Sequence, residues 1–140
     1  MRIKGNWEGY YAYGEGYILP YFGEKVAIEI EIYGNESSFT GLVREEESEF
    51  SVPLQSEVKG FSEGDLVSFI KTYDGNPIIK EEETNSLVIG EGNLEIEHEG
   101  YYDEKNKAMY GSWIMEQQQE DEEGTYDAVL TGTWMLRKVE

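Results

Sequence analysis

The chain has 140 residues, 30 acidic against 11 basic side chains, a formal net charge of −19 and no cysteine. That length fits one domain, residues 1–140, able to bury a core unaided. The missing thiols exclude disulfides and thiolate metal sites, and the charge argues against nucleic acid, whose phosphates need Lys and Arg, and against anionic membrane surfaces.

Met1-Arg2-Ile3-Lys4 leads straight into Gly5-Asn6-Trp7 with no apolar h-region. No apolar run approaches the roughly 20 residues of a membrane helix, so a cytoplasmic protein is the expectation. From there period-2 alternation dominates and period 3.6 is nearly absent. Eight strands are predicted: Asn6–Tyr13, Lys25–Tyr33, Ser38–Glu46, Leu54–Phe61, Leu66–Tyr73, Asn93–Tyr102, Lys107–Gln118 and Thr125–Arg137. In the second, Val26, Ile28, Ile30 and Ile32 share one face, opposite Glu29 and Glu31. In the sixth, Leu94, Ile96 and His98 oppose three glutamates, the pattern of a sheet with one buried and one wet face.

Short polar turns, such as Gly34-Asn35-Glu36 and Asp103-Glu104-Lys105-Asn106, join neighbours in sequence order and imply a meander. Two longer connections, Gly14 to Glu24 and Asp74 to Gly92, carry Tyr17-Ile18-Leu19-Pro20-Tyr21-Phe22 and Leu87-Val88-Ile89. They are too apolar to hang in water, so they are expected to fold over a barrel end or add a short element. Acid runs such as Glu45-Glu46-Glu47 and Glu81-Glu82-Glu83 read as solvated loops or strand ends. Gly9, Gly41, Gly60, Gly100, Gly111 and Gly132 fall inside strands, which fits bending or close backbone approach in a closed barrel. Closure also removes the edges that an aromatic-rich sheet would expose. The fold class is therefore all-β, a single antiparallel eight-stranded up-and-down barrel.

All three tryptophans follow Gly-x, in Gly5-Asn6-Trp7, Gly111-Ser112-Trp113 and Gly132-Thr133-Trp134. A Gly-x-Trp opening the first strand, with Arg137 (and Lys138 beside it) late in the last, resembles the calycin barrels, avidins and lipocalins. The ending Thr131-Gly132-Thr133-Trp134-Met135-Leu136-Arg137 looks particularly like an avidin-type strand. The resemblance implies that Trp7 is structural and closes the barrel base. Because first and last strands pair in a closed barrel, it also suggests that Arg137 stacks on Trp7, a contact of roughly 0.5–2 kcal/mol.

Chemistry is sparse. His98 is the single histidine, so transition-metal sites lack their usual ligands. No Gly-x-Ser-x-Gly elbow and no phosphate-binding glycine loop is present. No enzyme, metal or cofactor is expected. On its apolar face His98 reads as a hydrogen-bonded core residue, or else as a polar anchor in a pocket or a general base, the last making an enzyme a trailing third reading. Trp7, Tyr11 and Tyr13 share a face, as do Met109, Gly111, Trp113 and Met115, and as do Leu130, Gly132, Trp134 and Leu136. Two readings follow. One is a non-enzymatic barrel binding a small apolar or aromatic ligand through Tyr11, Tyr13, His98, Tyr102 and Trp113. The other is a filled barrel serving as an interaction or homo-oligomer module through exposed tyrosines such as Tyr10 and Tyr101. An interior cavity of roughly 300 Å3 or more lined by these residues is the mark that separates the hollow, binding case from the filled one.

Overall fold

The computed structural model describes residues 2–17, 19–79, 87–90, 92–121 and 123–139, and among these it contains strands and turns but no helix. In chain order the described strands are β1 (Gly5–Tyr13), β2 (Lys25–Asn35), β3 (Ser38–Glu45), β4 (Ser56–Glu63), β5 (Leu66–Tyr73), β6 (Asn76–Ile79), β7 (Leu87–Gly90), β8 (Glu95–Asp103), β9 (Ala108–Asp121) and β10 (Gly124–Lys138). Eight of them close into an antiparallel barrel in the order β1-β10-β9-β8-β5-β4-β3-β2. The up-and-down barrel expected from the alternation is the fold. The long connection after β5 supplies a separate ribbon, β6 paired with β7, before the meander resumes at β8. Ile18, Glu91, Glu122 and the Glu81-Glu82-Glu83 run lie outside the described residues.

The inward parity of each strand is the one the sequence marks. Val26, Ile28, Ile30 and Ile32 are buried on β2, and Met109, Trp113 and Met115 on β9. Leu130, Trp134 and Leu136 do the same on β10, in one continuous core. Glutamates at the alternate positions of β2 and β8 face water, which is how an antiparallel sheet separates an apolar from a polar face.

The repeated Gly-x-Trp spacing has a geometric cause. β9 and β10 pair so that Gly132 lies opposite Trp113 and Trp134 opposite Gly111. Each indole therefore sits across from the other motif's glycine. A Cβ built on Gly132 would lie 2.2 Å from the Trp113 ring and 2.1 Å from Ala12 O, so no side chain fits. Trp134 donates its Nε1 hydrogen to Ser112 O (3.1 Å) and Glu99 O (3.3 Å), which fixes the ring across the barrel wall.

The barrel has two unlike ends. At the base, Trp7 is buried, donates Nε1–H to Ile3 O at 2.8 Å and packs edge-on against Tyr102, with ring centroids 6.3 Å apart. The stacking expected of Arg137 does not occur. Arg137 lies opposite Glu8 and points to solvent, because it follows the inward Leu136 by one residue. The cation over the indole belongs to Lys138, the register partner of Trp7: its Nζ is 5.8 Å from the ring and donates to Arg2 O at 2.8 Å. Its aliphatic stem allows that fold-back from a half-buried position. Arg2 in turn lies over the Tyr102 ring at 4.7 Å. At the other end, the mouth, Tyr17 and Tyr21 from the β1–β2 connection and Phe50 and Val52 from the β3–β4 connection pack against the core. Leu19 and Phe22 of the same β1–β2 connection remain exposed, so that segment covers the mouth with only part of its apolar surface. Asn76 at the start of the ribbon accepts a hydrogen bond from Gln117 Nε2 at 3.0 Å, tying the ribbon to β9.

Candidate functional site

Alternation on β5 turns Val67, Phe69, Lys71 and Tyr73 into the barrel. Lys71 thus points inward on a strand whose other inward residues are apolar or aromatic. Glu45 ends β3 on the inward parity of Phe39 and Gly41, so the first residue of its acid run is inside rather than solvated. Lys71 Nζ and Glu45 Oε2 are 3.2 Å apart, with both side chains only 4% exposed.

Two buried charges need more than each other, because the desolvation cost exceeds a single Coulombic contact. The surroundings provide it. Glu45 Oε1 accepts from Tyr11 Oη at 2.6 Å and from the Val52 amide at 2.9 Å. Its Oε2 accepts from the Tyr73 hydroxyl, which itself accepts from Lys71 Nζ at 2.8 Å. The ammonium also lies 4.5 Å from the Tyr11 ring centroid and 4.6 Å from that of Tyr73, within cation–π range.

Burial alone would raise the Glu45 carboxyl, but Lys71, the two tyrosine hydroxyls and the Val52 amide outweigh it and hold the group below its ordinary range. Burial lowers the Lys71 ammonium, and Glu45 offsets that only in part. Tyr11 and Tyr73 are pushed well above the usual phenol range, first by burial and then by neighbouring charge. His98 is pushed down to about 3 by burial, with Lys71 adding to the effect. It is neutral. Its Nδ1 contacts Ile96 O at 3.0 Å, and a carbonyl only accepts, so Nδ1 carries the proton and Nε2 is an acceptor. The ring stacks on Phe69 at 4.6 Å.

Between these groups lies a cavity of about 40 Å3. At ~10–15 Å3 per water, that holds roughly three waters or a ligand of a few heavy atoms. It is far short of the roughly 300 Å3 expected of a hollow barrel, so the interior is nearly filled and any ligand is small. Tyr11, Tyr13, His98 and Trp113, all expected at a ligand site, do line it, together with Tyr17, Lys71, Tyr73 and Gln117. Tyr17 sits at the mouth between Tyr13 (4.7 Å) and Trp113 (5.9 Å). Tyr13 is anchored by donating to Phe50 O at 2.6 Å. The indole N–H of buried Trp113 has no acceptor among the described residues. Tyr102 is elsewhere: its parity is inward, but it is four residues beyond His98 on β8 and belongs to the base beside Trp7.

Sequence reasoning missed Lys71, Glu45, Tyr17 and Tyr73. One signal was available, a lysine on the apolar parity of Leu66–Tyr73. Among the described residues no group of three or more His, Asp and Glu side chains is placed to hold a metal ion. Compared with known proteins, the chain matches no family model, no curated protein and no solved structure.

Proposed function

We propose that this barrel is a non-enzymatic binder of a compact, neutral, largely apolar ligand at its mouth. The observation that carries the reading is the unpartnered Trp113 N–H on a residue that lines the cavity. Leaving a buried donor unsatisfied costs about 1–3 kcal/mol, which an acceptor on a ligand recovers. His98 stands directly opposite Trp113 in the β8–β9 register and presents Nε2 as an acceptor. A hydroxyl or amide group matches this pair because it donates and accepts at once. The Lys71–Glu45 pair is internally compensated, which favours a neutral ligand over an ion. Of the two calycin-like ends, the Gly5-Asn6-Trp7 opening supports this reading by analogy, while Arg137 does not.

The test is a screen of short-chain alcohols, small amides and phenols by tryptophan fluorescence and thermal shift, on wild type and on Trp113→Phe. At ~100 times Kd a ligand of the folded state adds ~2.7 kcal/mol of stability, a clear rise in Tm. Binding weakened in the variant supports the reading. If no compound binds more tightly than about millimolar, roughly −4 kcal/mol, the reading is lost.

A second reading, the filled barrel as an assembly module, is favoured by one outer row. Leu66, Tyr101 and Tyr110 are all exposed and face one another across β5, β8 and β9. A second copy of the chain is the partner proposed, and sedimentation of wild type against Tyr101→Lys over a concentration series tests it. A monomer at all concentrations removes this reading.

A further inference from the structure

Lys71 is not required by the binding reading, yet it is the one primary amine among the residues that line the cavity. We infer that Lys71 captures short-chain aldehydes as a reversible imine, with Glu45 relaying the proton. The inference rests on the same cavity as the proposed function, but on Lys71 and Glu45 rather than on the Trp113–His98 pair, because an aldehyde accepts a hydrogen bond and donates none.

The geometry carries it. Lys71 lines the cavity, and its Nζ is held 3.2 Å from a carboxylate that can take a proton and give it back. Tyr11, from β1, and Tyr73, beside it on β5, cover the ammonium with ring faces. The titratable groups around Lys71 are Glu45 from β3, these two tyrosines and His98 from β8. The phenols are raised and His98 is lowered, so Glu45 alone carries the compensating charge. Burial also lowers the Lys71 ammonium, so its proton passes to Glu45 more readily than the proton of an exposed lysine would.

The step balances without a further reactant. The ammonium passes one proton to Glu45, and the Nζ lone pair attacks the aldehyde carbon as the C=O pair moves to oxygen. The adduct takes that proton back on oxygen to give the carbinolamine; Glu45 then carries a second proton from the nitrogen to the same oxygen, which leaves as water while nitrogen and carbon form C=N. The net change is R–NH3+ plus O=CH–R′ giving R–NH+=CH–R′ plus water. One positive charge is present before and after, so Glu45 keeps a matched counter-ion, and the iminium retains one N–H for it. The Tyr73 hydroxyl still donates to Glu45. A buried ion pair that survives the reaction is the reason an imine suits this lysine, because no charge is left uncompensated inside the barrel.

The experiment is reductive trapping with butanal and cyanoborohydride at pH 7, read by peptide mass mapping on the wild-type chain. Surface lysines such as Lys25 and Lys59 serve as internal references. The expected result is labelling of Lys71 faster than of these references by about tenfold or more, because among the described lysines Lys71 alone is buried, with its ammonium lowered. 1-Butanol is expected to slow labelling at Lys71 and leave the references unchanged. If only surface lysines are labelled while 1-butanol still shifts Tm, the imine is refuted and the binding reading survives. If Lys71 is not labelled and no compound of the screen, 1-butanol included, shifts Tm, both fall. Lys71→Arg, which keeps the cation, is expected to lose the adduct; mapping of the wild type decides the matter even if that variant does not fold.

Discussion

Lys71 and Glu45 depend on each other. Removing one partner of a buried pair leaves an uncompensated charge, so Lys71→Met is expected to cost ~3–5 kcal/mol in urea unfolding. The Lys71→Met/Glu45→Gln double variant is expected to cost clearly less than the sum of the singles, since the residues touch. Full additivity would falsify the coupling. His98 gives a pH signature. Its folded-state pKa, about 3, is below the ordinary 6.5, so the unfolded chain binds more protons between these values. Its contribution is intact above about 6.5 and drains away as pH falls, by up to ~1.4 kcal/mol per pH unit. Glu45 acts in the same sense lower down, being lost as pH falls through its depressed folded value. The stability gap between wild type and His98→Gln, measured in urea, is therefore expected to narrow from pH 7 to pH 5. A constant gap argues that His98 is not buried neutral. At the base, Arg137→Ala is expected to change stability by no more than about 0.5 kcal/mol, as for exposed residues. Trp7→Ala is expected to cost ~3–5 kcal/mol.

At the scale of strands, close packing is legible where alternation is strict. Gly132→Ala is expected to destabilise the β1–β10–β9 wall severely, because the new methyl has Ala12 O and the Trp113 ring in its place. Soluble, wild-type-like Gly132→Ala contradicts that packing. Strand positions, parity and meander order could all be read from the sequence, since each needs only local periodicity. So could four of the mouth residues, because Tyr11, Tyr13, His98 and Trp113 are aromatic residues on inward parities. The Lys71–Glu45 pair was not legible, because it joins the ends of β3 and β5, and the register that brings them together runs through β4. Tyr102 was misplaced for a related reason: parity says inward, but not how far along the barrel axis. Arg137 was misread by one residue at the strand end, where the turn of Lys138 decides which cation meets Trp7. The ribbon β6–β7 has four residues per strand, too few for alternation to announce it.

For the whole molecule, a net charge of −19 on a small barrel means self-repulsion in the folded state. Tm is expected to rise between ~20 mM and ~0.5 M sodium chloride as the charges are screened. A flat or falling Tm would show that the acids are already locally balanced. The β1–β10 seam has a further consequence, one of timing. It joins residues such as Gly9 and Leu136, the longest sequence separation in the barrel, whereas every other strand pair joins near neighbours or bridges one ribbon. Loop-closure entropy for that contact is met last, so hairpins are expected to form early and the seam to zip in the late part of the folding reaction. During synthesis β1 must wait, with Trp7 and Tyr11 uncovered on one flank, until β10 has left the ribosome. Destabilising changes confined to the seam, such as Met135→Ala, should therefore accelerate unfolding and leave the refolding rate nearly untouched in a chevron experiment.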